Sequence, residues 1–134
     1  PRKTGDLVNA VRKRLSDFPD VLGPIIHAAG GLSTWAVKAL LDGNLERLGE
    51  LMSINHGLLS AIGVSNEPLD RLVYAARKAG ALGAKLTGAG GGGCMIALST
   101  LEDREKIADA IRRAGGATII AKKTNTGVKV WVNP

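Results

Sequence analysis

Aromatic residues are scarce in this sequence of 134 residues, which contains one Phe, one Tyr and two Trp. Proteins that bind single-stranded nucleic acid or RNA loops stack the bases on aromatic side chains, so this scarcity argues against such a surface. The net charge of +6 nevertheless fits an anionic partner, and charge alone does not distinguish nucleic acid from phosphate esters or carboxylates. Nucleic acid is therefore not the expected partner.

Cysteine and long apolar runs are nearly absent as well. Cys94 is the single cysteine, which excludes an internal disulfide and a cysteine metal cluster and agrees with a reducing compartment. Its apolar neighbours predict a small packed side chain. No apolar run approaches the roughly 20 residues that span a bilayer, and no secretory leader opens the sequence. These features predict a soluble, cytoplasmic protein that does not contact a membrane.

Only two histidines occur, and neither has a carboxylate three or four positions away, so no metal site is predicted. His27 lies near the apolar face of a predicted helix, which favours a packed core histidine. Asn55 and His56 interrupt the apolar stripe of the next helix. Two interpretations stay open for them: packing between helices, with hydrogen-bond partners, or exposure to a cleft.

Glycine, in contrast, is abundant, and five of the six residues from Gly88 to Gly93 are glycine. Each glycine costs about 0.5–1 kcal/mol relative to alanine in a regular element, so this density indicates that the backbone itself is needed. Two uses fit: positive φ angles, or a ligand held against bare N–H groups.

The glycine run satisfies G-x-G-x-x-G, but that pattern indicates dinucleotide binding only between a strand and a helix. Here the short apolar run 94–98 follows, which is typical of a buried strand, and residues 85–87 before the loop are also strand-like. A Walker A loop would need Lys and Ser/Thr after the last glycine, where this sequence has Cys94 and Met95. The glycines therefore join two predicted strands.

Hydrophobic periodicity organises the rest of the sequence into a single domain over residues 1–134. Helices are predicted at 4–15, 20–42, 44–62, 66–80 and 101–114, and further strands at 117–121 and 128–132. Gly30 and Gly31 predict close helix packing or a kink in the second helix. This order predicts an α+β fold, with a ferredoxin-like antiparallel sheet, helices on one side of it and an additional N-terminal helical layer. Because residues 1–4 read as the middle of a connection, we expect a domain of a longer protein.

Residues 85–94, KLTGAGGGGC, resemble the third conserved motif of the GHMP kinases, and the mevalonate kinases among them most closely. Further agreement occurs in the same order at residues 1–4, 7–12, 55–59, 63–65 and 69–72. The resemblance extends to about Leu98 and is weaker beyond it. It implies the C-terminal domain of this family and the same α+β fold.

The resemblance also implies an activity, the ATP-dependent phosphorylation of mevalonate to 5-phosphomevalonate in isoprenoid synthesis. In this family ATP and Mg²⁺ are held mainly by an N-terminal domain, which also carries the catalytic Asp and its Lys partner. Nothing here matches those elements, so no catalytic residue is predicted in this chain and the isolated chain is expected to be inactive. The expected partners are the N-terminal domain of the same protein and mevalonate, with a homodimer left open.

The predicted site residues follow from the same resemblance. Arg2 and Thr4 are predicted to face the substrate, where a guanidinium can bind a carboxylate. The substrate- or phosphate-side loop comprises Thr87, Gly88, Ala89, Gly90, Gly91, Gly92 and Gly93. Its backbone would either donate to phosphate or let a phosphate-binding loop of the other domain come close.

Two alternatives remain. The first is another GHMP enzyme, such as a phosphomevalonate or homoserine kinase. The second is a stand-alone ferredoxin-like regulatory or RNA-binding module, which the positive charge favours and the scarce aromatic residues disfavour.

Overall fold

A computed structural model describes residues 4–122, 127–128 and 130–131. The first half of the chain is helical, and the two strands follow it. The elements are α1 (Thr4–Asp17), α2 (Pro19–Leu41), α3 (Leu45–Ala61), α4 (Glu67–Lys78), β1 (Gly83–Leu86), β2 (Met95–Leu98) and α5 (Arg104–Arg113). All five predicted helices are confirmed, with ends that differ by a few residues.

The helix ends follow from local chemistry. Asn44 caps α3 by accepting a hydrogen bond from the Arg47 N–H at 2.8 Å. Asn66 caps α4 in the same way, accepting from the Leu69 N–H at 3.1 Å. These amide side chains satisfy backbone donors that a helix leaves free in its first turn. Gly63, at a φ of 80°, lets the chain leave α3 towards Asn66.

The sheet consists of β1 and β2, which pair antiparallel with Lys85 opposite Ile96 and Leu86 opposite Met95. Helices α4 and α5 cover one face of this sheet. The core between them contains the buried residues Val73, Ala76, Ala84, Ile107 and Ile111. The α+β class and the helices on one side of the sheet are therefore confirmed.

The N-terminal helical layer meets the sheet where α3 crosses β1. A Cβ atom at Gly49 would overlap the backbone of Leu82, and one at Gly83 would overlap the backbone of Gly49. Glycine at both positions thus permits the close approach. The close packing predicted at Gly30 and Gly31 is wrong, because a Cβ at either position of α2 would meet nothing within 4 Å.

The strand predicted at 117–121 is not formed. Ile119 is 93% exposed, and no strand pairs with this segment among the described residues. The strand predicted at 128–132 lies partly outside the described residues; Val128, Val130 and Trp131, which are described, are exposed and not in a strand. Apolar alternation is a local signal, whereas a strand also needs a hydrogen-bonded neighbour. The described sheet therefore has two strands instead of four.

Two single-residue predictions also need correction. His27 is exposed, because α1 and α3, which pack against α2, do not cover this side chain. Cys94 is exposed too, since it ends the glycine loop before β2 begins. Within the described part of the chain, no helix is both long enough and apolar enough to cross a membrane.

Candidate functional site

The glycine loop connects β1 to β2, as predicted, and its glycines adopt conformations that other residues avoid. The φ angles are 76° at Gly88, 82° at Gly90, 72° at Gly91, 138° at Gly92 and 85° at Gly93. Left-handed backbone costs an L-residue roughly 1–2 kcal/mol per position, which explains the composition of this loop. The glycines therefore serve the first of the two uses considered above, which is to adopt positive φ angles.

The middle of the loop lies on the connection between α3 and α4. The Gly91 N–H donates to the carbonyl of Val64 at 2.7 Å. A Cβ at Gly90 would overlap that same carbonyl oxygen, and a Cβ at Gly91 would lie 2.8 Å from Leu7 Cδ1. The loop thus contacts this connection and α1 through bare backbone.

A hydrogen-bond network supports the start of the loop. His56 is 8% exposed, and its Nδ1 accepts from the N–H of Leu86, the last residue of β1, at 3.2 Å. Asp70 Oδ1 lies 3.0 Å from the other ring nitrogen, Nε2. The hydroxyl of Ser65 donates to the same carboxylate oxygen. The packing interpretation of His56, with both ring nitrogens bonded inside the protein, is the one that the structure shows.

Most loop amides remain available. Among the described residues, no acceptor pairs with the N–H groups of Gly90, Gly92 or Gly93. The Thr87 N–H, in contrast, donates to the Cys94 carbonyl at 3.0 Å and continues the strand ladder. Free backbone N–H groups on a turn of positive φ form a concave, partly positive surface that suits anions.

Two open cavities of similar size flank β1 and the loop. The first, about 200 Å³, is lined by Leu7, Val8, Val11, Val64 and Ala89, and lies between α1 and the loop. Its apolar walls suit a hydrocarbon or an apolar side chain.

The second cavity, about 190 Å³, lies between α2, α3 and β1. Half-buried Asn55 and Lys85 line it together with Ser33 and apolar residues. Burial lowers the pKa of the Lys85 amine, which donates to the Leu86 carbonyl at 3.0 Å. Asn55 therefore borders an open cavity, whereas its neighbour His56 points into the protein.

The substrate-facing roles of the first residues stay predictions. Thr4 is exposed at the first residue of α1, and Arg2 lies outside the described residues. Leu7, one turn further along α1, does reach the glycine loop at Gly91. The structure thus brings α1 and the loop together but leaves the orientation of Arg2 undescribed.

Sequence reasoning missed the residues beneath the loop. Val64 and Asp70 belong to the resembling segments 63–65 and 69–72, yet no role was predicted for either. The signal was the order Ser65-Asn66 followed by Asp70, which places a cap and a carboxylate at the first turn of α4. Only the fold shows that this turn faces His56.

The described residues offer no group of three or more His, Cys, Asp or Glu side chains that could hold a metal ion. Asp70, the carboxylate beneath the loop, already accepts hydrogen bonds from His56 and Ser65. The residues of this site therefore do not fit a magnesium ion.

Comparison with known proteins identifies the family to which this chain belongs. Residues 36–117 match the family model described as GHMP kinases C terminal, which spans α3, α4, the glycine loop and α5. The sequence is 51% identical over 132 residues to a mevalonate kinase of Pyrococcus furiosus, covering 95% of this chain and 39% of that protein. It is 36% identical over 129 residues to the Aeropyrum pernix mevalonate kinase, covering 96% of this chain and 40% of that protein. The chain thus spans about two fifths of these relatives' length.

Solved structures show the same fold. The crystal structure of L. major mevalonate kinase in complex with R-mevalonate superposes with a TM-score of 0.81 at 35% identity, covering 84% of this chain and 35% of that one. The Methanococcus jannaschii mevalonate kinase gives a TM-score of 0.67 at 34% identity, covering 84% and 32%. The chain belongs to the GHMP kinase family and matches the C-terminal part of its members.

Proposed function

We propose that this chain is the substrate-side domain of an ATP-dependent mevalonate kinase, which phosphorylates the 5-hydroxyl of mevalonate. The observation that carries the proposal is the likeness of almost the whole chain to mevalonate kinases, including 51% identity to that of Pyrococcus furiosus. A structural neighbour at a TM-score of 0.81 is a mevalonate kinase with R-mevalonate bound. In this proposal the glycine loop forms one wall of the active site.

The geometry of the loop supports that role. Phosphoryl transfer relies on positioning and on neutralising the charge of the phosphate oxygens. The available N–H groups of Gly90, Gly92 and Gly93 can donate to phosphate oxygens, or their bare backbone can admit a phosphate-binding loop of the other domain. Both arrangements need the same left-handed loop, fixed from below by Val64.

Arg2 and Thr4 extend the proposal to the substrate carboxylate. The guanidinium of Arg2 would bind this carboxylate through two parallel hydrogen bonds. Mg²⁺, when bound, would supply positive charge that neutralises the phosphate oxygens. The described residues do not fit this ion, and we propose that the metal, the catalytic Asp and its Lys partner belong to the N-terminal domain.

The test uses the full-length protein that contains this chain, with ATP, Mg²⁺ and a panel of mevalonate, phosphomevalonate and homoserine. We expect mevalonate to give the highest kcat/KM, and the isolated 134 residues to give none. A preference for another alcohol would replace this proposal with another GHMP activity. Strong, salt-sensitive binding of RNA without any phosphorylation would instead support an RNA-binding module.

A further inference from the structure

We infer that His56 is a positioning residue for the glycine loop, and that it acts by holding the end of β1 in the orientation that starts the loop. The inference rests on the proposed function, because it assigns His56 to the loop that forms the active-site wall. His56 is 8% exposed, and its two ring nitrogens lie within hydrogen-bond distance of protein groups, the Leu86 N–H and Asp70 Oδ1. Its influence would pass through the backbone of Leu86.

The Leu86 N–H needs an acceptor other than β2. The amides of an antiparallel strand point alternately to one neighbour and to the opposite edge, and the next residue, Thr87, donates to Cys94 on the β2 side. Leu86 therefore directs its N–H away from β2, towards α3, where His56 Nδ1 accepts it. Because Leu86 is 1% exposed, water does not replace this acceptor.

The same contact fixes the protonation of the ring. Nδ1 can accept from an N–H only when it carries no hydrogen, so the neutral imidazole carries its proton on Nε2. Nε2 faces Asp70 Oδ1 at 3.0 Å, and its N–H donates to this carboxylate oxygen. Asp70 thus selects the tautomer that binds the strand.

The two supports of the loop converge on this carboxylate. The first support of the loop is the hydrogen-bonded chain from Leu86 through His56 to Asp70. The second runs from Gly91 to the Val64 carbonyl, and the adjacent Ser65 hydroxyl donates to Asp70. The start and the middle of the loop are therefore held relative to each other by one buried imidazole and one carboxylate.

Two substitutions separate the two bonds of the ring. In His56→Asn the carboxamide oxygen lies near the position of Nδ1 and can accept from Leu86, but the shorter side chain has no donor that reaches Asp70. In His56→Gln the amide nitrogen lies near the position of Nε2 and can donate to Asp70, but Leu86 loses its acceptor. His27→Gln is the matched control, since it makes the same change at an exposed position of α2.

In the full-length protein with ATP and mevalonate, we expect His56→Gln to lower kcat by about tenfold or more, with KM for mevalonate changed by less than about threefold. His56→Asn should retain most of the kcat, and His27→Gln should change neither constant. Equal losses in the Asn and Gln variants, or an unchanged kcat in a folded Gln variant, would overturn the inference.

Amide hydrogen exchange of peptides covering residues 86–94 separates this inference from the proposed function. His56→Gln should speed exchange across this segment and His56→Asn should not, whether or not the protein phosphorylates mevalonate. Equal exchange in both variants would contradict the inference alone, whereas a failure to phosphorylate any mevalonate would contradict only the proposed function. If the Gln variant does not fold, ¹⁵N-histidine spectra of the wild-type protein decide: the Nε2–H tautomer of His56 supports the inference, and the Nδ1–H tautomer overturns it.

Discussion

The backbone N–H of Gly91 donates to the carbonyl of Val64 at 2.7 Å, and so fixes the glycine loop to the connection between α3 and α4. The loop lies so close to Val64 that no side chain fits between them, because a Cβ at Gly90 would overlap the same carbonyl. Glycine in this loop therefore serves two purposes at once: it permits positive φ angles and lets the backbone lie directly on its support.

Gly91→Val should abolish most activity of the full-length enzyme with a smaller effect on folding. The new Cβ would lie 2.8 Å from Leu7 Cδ1 at a φ of 72°, so the loop must move to accept it. A displacement of about 1 Å at an active site can lower kcat by roughly 10²-fold, which is the expected loss of kcat. Steady-state kinetics and a thermal melt, run side by side, check this result.

Gly115→Val is the matched control, because Gly115 also has a positive φ, 92°, but lies at the end of α5 outside the loop. It should lose a similar amount of stability and keep its kcat. Ala89→Val, which adds bulk where the loop borders the cavity beside α1, should lower kcat as well. Unchanged kinetics in Gly91→Val and Ala89→Val would mean that the loop is an ordinary wide hairpin.

Gly49→Ala and Gly57→Ala should change stability in opposite directions, although both lie in α3. At Gly49 the added Cβ would overlap the backbone of Leu82, and such overpacking typically lowers the free energy of unfolding by about 1–3 kcal/mol. At Gly57 the Cβ meets nothing within 4 Å, so alanine should stabilise the helix by up to about 1 kcal/mol. Urea unfolding of the two variants measures the difference, and equal shifts would contradict the close approach of α3 to β1.

The two helix caps offer a second matched pair. Asn44 and Asn66 both accept from a backbone N–H in the first turn of their helices, so alanine at either position should cost about 1 kcal/mol of stability. Only Asn66 also borders the glycine loop, with Nδ2 4.0 Å from a Cβ placed at Gly92. We therefore expect kcat to fall in Asn66→Ala and to hold in Asn44→Ala. Equal kcat values in the two variants would show that the cap does not influence the loop.

How far the sequence predicts this fold depends on the range of each interaction. The helices depend on periodicity and on caps such as Asn44 and Asn66, which act within one turn, and all five are found. The loop between β1 and β2 was likewise predictable, because its glycines and flanking apolar runs are local signals. In contrast, the strand predicted at 117–121 depended on a distant partner that alternation does not reveal.

The candidate site likewise combines features with local signals and contacts between distant residues. Glycine density indicated positive φ angles as one of two uses of the loop, but nothing local indicated that Val64 would accept from Gly91. His56 and Asp70 are 14 residues apart and lie on different helices, so their contact exists only once α3 and α4 have packed. His27 was misjudged for the same reason: an apolar helix face is buried only where another element covers it.

Lys85 provides a prediction about pH. Burial lowers the pKa of its amine from the ordinary value of 10.5, so between the folded and unfolded values the unfolded chain binds more protons than the folded one. The free energy of unfolding should therefore gain a contribution as pH rises through this alkaline window, up to about 10.5.

Lys85→Met removes the amine and should flatten this part of the curve of stability against pH. Lys38→Met, which removes an exposed amine from α2, controls for the loss of one positive charge. Urea unfolding between neutral and alkaline pH measures all three proteins. An unchanged alkaline slope in Lys85→Met would show that burial of Lys85 makes no measurable contribution.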